Sequence, residues 1–197
     1  MLLVSLEDVK AFVEKNDTSH DYLIGMIIEY VSSRVEAFLN RSLTKEYRTK
    51  VFDIVDKKRR YFLTSYPIDS SANITVTLDE NVQTIDSDYY VWFDEGVVEF
   101  DFFPTYLEPK QLEITWLGGY DVVTTTIAGT VKNIIEDIPD AIKFAVLLQS
   151  AFVYRNRTNI GVTSVTLPNG SINGIYFGDL LPEVKSILHM YRKPAGD

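Results

Sequence analysis

Residues 114–121 read ITWLGGYD, and their reading decides the fold. Ile114, Thr115 and Trp116 follow a strand pattern that stops at Gly118 and Gly119. Further on, IPDAIKFAVLLQSAFVYRNR (138–157) reads as a buried helix, apolar almost all round. The glycine pair is either a loop where a ligand meets backbone or a joint where a sheet returns the chain to a helical core. Glycine serves both, because it accepts positive φ and close backbone crossings. No nucleophile, base or ligand set lies beside it in sequence, so the joint is the better reading.

On the N-terminal side of the joint the apolar period is two. YRTKVFDIV (47–55), RRYFLTS (59–65), ITVTLDE (74–80), DYYVWFD (88–94), GVVEFDF (96–102) and LEITWLG (112–118) predict roughly six strands, a meander or small barrel-like sheet, separated by turn residues. Outside this block the period is helical. SLEDVKAFVEK (5–15) predicts a first helix, with Ser5 and Asp8 as a capping box. A second runs from about His20 to Leu39, with Leu23, Met26, Ile27, Tyr30, Val31 and Phe38 as its core stripe and Asn40 as a left-handed terminator. The central helix is expected from Asp137, with Pro139 and Asp140 in its first turn. VTSVTLPNGSINGIYFG (162–178) predicts a hairpin turning at Pro168-Asn169-Gly170. LPEVKSILHMYRK (181–193) predicts a last amphipathic helix with Val184, Ile187, Leu188 and Tyr191 on one side.

The expected class is α+β: a helical core from residues 1–43 and 133–197, a β-rich insertion at 44–121, and a mobile Thr-rich loop at 122–132. The chain has 197 residues, 46% of them hydrophobic, enough to bury a core. Cysteine is absent, which removes disulfides and thiolate chemistry. The net charge of −9 disfavours general nucleic-acid binding, which draws its affinity from Lys and Arg. No stretch is long and apolar enough to span a membrane, and MLLVSLEDVK lacks the basic flank and apolar centre of a secretory signal.

Catalytic residue types are scarce. His20 and His189 lie at opposite ends of the chain in no metal-binding spacing, and both read as surface residues. Carboxylates are the abundant type: Asp79, Glu80, Asp86, Asp88, Asp94, Glu95, Glu99 and Asp101 fall in one stretch without Lys or Arg. Such strands could serve a carboxylate-based hydrolase or a calcium-dependent binding module, and Asp86-Ser87-Asp88 has the start of a calcium loop. Strand alternation also places acids on a solvent face with no function attached. Lys57, Lys58, Arg59 and Arg60 form the one basic run, at a hairpin tip. A basic tip and acids such as Asp94 and Glu95 could meet between neighbouring copies and close a ring. Arg155 and Arg157 end the central helix, either complementing its dipole or pairing across a subunit boundary.

The order of these elements resembles the head–tail connector (adaptor or head completion) proteins of tailed bacteriophages. The matching positions are Asn40-Arg41-Ser42 closing the helix pair, Leu63, Pro67 and Ile68, Gly118-Gly119-Tyr120, Pro139 and Ile142, Tyr154, Asn156 and Arg157, and Tyr191-Arg192. The resemblance implies a virion part made in the host cytoplasm and placed in the neck, not an enzyme, with no cofactor. It implies a ring of about twelve copies under the portal protein, offering a platform to a stopper or tail-completion protein, with genomic DNA passing through without sequence-specific binding. The last helix is then the expected portal-docking element, through Val184, Ile187, Leu188, Tyr191 and Arg192, and separable from the rest.

Overall fold

The computed structural model describes residues 1–54, 58–102, 104, 111–159, 165–166, 172–173 and 179–193. The chain divides into two compact units, one from residues 1–39 and 123–192, the other from 40–122 and 193–197. The class is α+β, as expected.

In the first unit, α1 (Leu6–Phe12) begins with the expected capping box. The Asp8 N–H donates to the Ser5 hydroxyl at 3.0 Å, and the Ser5 N–H donates to the Asp8 carboxylate at 3.3 Å. Helix α2 (Asp21–Leu39) buries Ile24, Gly25, Ile27, Ile28, Val31, Ser32, Val35 and Leu39. Asn40 takes φ 52° and ends it. Met26 and Tyr30, expected in the core stripe, instead face solvent at 49% and 48% exposure. The apolar residues of 22–31 cover the helix almost all round, so hydrophobicity alone does not choose its face. Small residues do. A Cβ on Gly25 would come within 2.8 Å of Ile127 Cγ2, so this side is the one pressed against its neighbours.

The expected mobile loop at 122–132 is instead most of a β-hairpin, a correction to that boundary. Numbered in chain order after the strands of the second unit, the hairpin is β8 (Val122–Ile127) and β9 (Thr130–Ile135). Its turn places Ala128 and Gly129 at φ 46° and 80°. VVTTTI is rich in β-branched residues, which suit a pleated strand better than a loop. Leu2 joins β9 as a parallel bridge, its N–H donating to Asn133 O at 2.9 Å. Helix α3 (Asp140–Arg155) starts three residues later than expected, behind Pro139. Asp137, at φ 54°, cannot continue a right-handed helix. α3 packs against α1, α2 and α4 (Pro182–Leu188). Strands β10 (Val165–Thr166) and β11 (Ile172–Asn173) pair antiparallel, as the predicted hairpin requires; its turn at 168–170 lies outside the described residues.

The second unit holds all six predicted strands, as β1 (Glu46–Asp53), β2 (Arg60–Phe62), β3 (Thr75–Leu78), β5 (Tyr89–Trp92), β6 (Val97–Phe100) and β7 (Gln111–Gly118), plus the short β4 (Asn81–Val82). They do not form one meander. They split into a four-stranded sheet in the order β1-β7-β3-β4 and a three-stranded sheet in the order β2-β6-β5. Alternate side chains of both sheets share one core: Phe52, Tyr61, Val76, Tyr89, Val98, Phe100, Leu112, Ile114 and Trp116. Phe52 and Tyr61 meet edge to face with ring centroids 5.5 Å apart.

Candidate interaction surfaces

The glycine joint lies within the second unit. Gly119 adopts φ 116°, and a Cβ there would overlap the Thr44 carbonyl. A Cβ on Gly118 would sit 2.6 Å from Ser65 O. Three backbone segments, 43–45, 65–67 and 118–120, meet at this point. The Tyr120 N–H donates to Leu43 O at 2.7 Å, the Lys45 N–H to Tyr120 O at 3.0 Å, and the Gly119 N–H to Pro67 O at 2.9 Å. Trp116 Nε1 donates to Ser65 O at 3.0 Å. Arg41, nearly buried, stacks 3.8 Å over the Tyr66 ring and donates to Tyr66 O at 3.0 Å. Burial pushes the Tyr66 hydroxyl above its ordinary pKa, opposed by the Arg41 charge. This is a place where glycine makes room for backbone, not for a ligand. It also gives Arg41, Pro67, Ile68 and Tyr120 a shared structural task.

The basic run is engaged within its own sheet. Lys57 lies outside the described residues. Lys58 sits 5.1 Å over the Tyr61 ring. Arg59 Nε donates to Phe100 O at 2.7 Å, and its guanidinium is 3.7 Å from Asp101. Arg60 lies opposite Glu99 in the β2–β6 ladder and pairs with it at 3.1 Å. The hydrogen bond from Arg60 holds the Glu99 carboxyl below its usual range. Two of the acids thus meet their basic partners inside one molecule. Asp94 and Glu95 are exposed in the β5–β6 turn, where Gly96 takes φ 65°. Asp88 accepts the Thr84 N–H at 2.8 Å, and Asp86 takes φ 64°, so that pair shapes a turn. Among the described residues no group of three or more His, Asp or Glu is placed to hold a metal.

At the end of α3, Arg157 is also engaged locally. It donates to Tyr154 O at 2.6 Å and lies 4.3 Å over that ring. Arg155 is exposed. His20, expected as a plain surface residue, is half-buried, with Nδ1 2.6 Å from the Tyr154 hydroxyl. Its long sequence separation from Tyr154 hid this contact.

The last helix requires a correction. Val184 and Leu188 are fully buried against the helical unit and cannot serve as a free docking stripe. Ile187 and Tyr191 are partly exposed and Arg192 is exposed, its guanidinium 5.2 Å over Phe38. The surface open to a partner is the other side of α4. There Phe38, Pro182, Lys185, Ser186, His189, Met190 and Arg192 line an open groove of about 560 Å³.

One surface went unread in the sequence. The most exposed line of α2 is Tyr22, Met26, Tyr30, Ser33 and Ala37, with Tyr22 at 72% exposure. It carries no charge over most of the helix, whereas a solvated helix face is ordinarily charged. Placing Gly25 and Ser32 inward on a helical wheel is the signal that would have exposed it.

A family model described as head completion protein matches residues 2–194. No curated protein sequence matches the chain. Among solved structures, the chain is similar to one from the virion of a native gene transfer agent particle. The TM-score is 0.55 at 12% identity, covering 98% of this chain and 91% of that one. It is equally similar, with the same values, to a chain in the neck of an empty particle of that kind computed with C6 symmetry.

Proposed function

The chain belongs to the head completion protein family, and on that premise we propose that it is a ring subunit of a virion neck. About twelve copies dock beneath the portal, extend the DNA channel, and present a platform to a stopper or tail-completion protein. The observation that carries this reading is the family match over residues 2–194. The similar chain in a neck computed with C6 symmetry supports it, because twelve copies are compatible with sixfold symmetry. The charge of −9 supports it too. An acidic wall offers few cationic wells to hold the DNA backbone, so the duplex slides instead of sticking.

The portal contact is assigned to the outward side of α4, where Arg192 is joined by Lys185 and Met190, the latter 78% exposed. An apolar centre with a basic rim suits an acidic, amphipathic segment of a partner. The test is electron microscopy of portal mixed with this protein. The expected result is one added ring on the portal, weakened by Met190→Asp. A portal that never acquires density at saturating protein would overturn the assignment.

A further inference from the structure

The helical unit carries a second outward stripe, on α3. On α3, Phe144 is 46% exposed, Leu148 and Phe152 are partly exposed, and Arg155 is exposed. At about 100° per residue, these positions fall within about 80° of one another, and so do 22, 26, 30, 33 and 37 on α2. Each stripe lies opposite its helix's buried residues. Because α2 and α3 pack on each other, the two stripes point away from a shared core toward different sides of the unit.

The stripes are also complementary. The α2 stripe is neutral, ends in the small residues Ser33 and Ala37, and is flanked on one side by Glu29 and Glu36 and on the other by Arg34, which is 3.8 Å from Asp179. Glu29 is paired with Lys132 at 2.5 Å, which leaves Glu36 as the acid for a newcomer. The α3 stripe is bulky and ends in a cation. Phe152 offers the volume that Ser33 and Ala37 leave room for, with Leu148 and Phe144 then meeting Tyr30 and Met26. Arg155, one turn beyond Phe152, then lies beside the acidic flank at Glu36. Tyr and Arg are also among the residues that carry most binding energy at protein interfaces, and Met is enriched there. Two complementary faces on different sides of one subunit make a head-to-tail contact, the kind that closes a ring when its rotation permits.

We propose that the α2 stripe of one copy packs against the α3 stripe of the next copy. This rests on the ring reading above and names the contact that builds the ring. Because the chain has no cysteine, introduced thiols report a single contact. Tyr30→Cys and Ala37→Cys are each combined with Phe144→Cys and with Arg155→Cys, and the full-length proteins are assembled on portal and treated with a short bis-maleimide. At least one combination is expected to give a ladder of covalent oligomers, while each single variant stays monomeric. Arg155→Glu should lower assembly at limiting concentration about tenfold, and adding Glu36→Arg should restore it. Rings that form normally while all four combinations stay uncrosslinked would overturn this contact and leave the function standing. A covalent dimer from Tyr30→Cys alone would overturn it as well, since the stripe would then meet itself. Failure of the unmodified protein to add a ring to portal would instead count against the function.

Discussion

The rim of the β2–β6 sheet and the outer line of α2 are both exposed, yet they treat charge in opposite ways. On the sheet, Arg59 and Arg60 find Asp101 and Glu99 in the same molecule, and Lys58 lies over Tyr61. On the helix, five successive outward positions carry no charge. A surface whose charges are matched internally has little left to offer a partner, because exposed pairs gain little from rearrangement. A surface kept neutral where charge would be easily hydrated is shaped by something that covers it. The charge runs stand out in the sequence, but the quieter helix is the one proposed as the interface.

The comparison can be broken most forcefully at the glycine joint, where neither kind of surface is involved. Gly119→Ala places a Cβ into the Thr44 carbonyl at φ 116°. It is expected to lose about 3 kcal/mol or more, read as a fall in the denaturation midpoint. Gly129→Ala is the control. Its φ of 80° is also left-handed, but the added carbon meets no atom within 4 Å, so the loss should be about 1 kcal/mol. Equal effects would mean that φ alone, and not backbone crossing, fixes residue 119.

Leu188→Ala tests the corrected role of α4. As a fully buried side chain against α3, Leu188 should cost about 3 kcal/mol when truncated. A stable variant that merely fails to bind portal would restore Leu188 as a docking residue. For the same reason, cutting the chain before Pro182 should destabilise the helical unit instead of freeing a separable tail.

Much of the fold was legible because its signals are local. The Ser5–Asp8 box, the Asn40 stop and the two-residue period of all six strands depend only on near neighbours. What was not legible depends on partners distant in the chain. The face of α2 is chosen by Gly25 meeting Ile127. The two-sheet split follows from β7 pairing with both β1 and β3, which no local pattern encodes. Val184 and Leu188 read correctly as an apolar stripe, but a stripe does not say whether its own chain or another covers it. The basic run reads as a bare tip because its partners Glu99 and Asp101 lie far along the chain, beyond β3, β4 and β5.

On the α2 stripe itself, Tyr30→Ser should move stability by no more than about 0.5 kcal/mol, since the ring is already half in water. Ring assembly on portal should nevertheless fall about tenfold, read by the protein concentration at half-assembly. A variant that loses stability and assembly in proportion would place Tyr30 back in the core.

The smallest effect is expected at the sheet rim. Glu99 titrates below its ordinary value because Arg60 hydrogen-bonds to its ionised form. A carboxyl lowered in the folded state adds stability above its unfolded pKa of about 4.3 and loses it as pH falls through the folded value. Arg60→Gln should therefore leave the denaturation midpoint at pH 7 almost unchanged, because an exposed pair is screened. It should move the Glu99 carboxyl titration upward, read by NMR of the side-chain carbon, and flatten that part of the acid limb. Ring assembly should not respond. If Arg60→Gln abolished assembly while Tyr30→Ser left it intact, the internally matched rim would be the interface after all, and neutrality on α2 would need another cause.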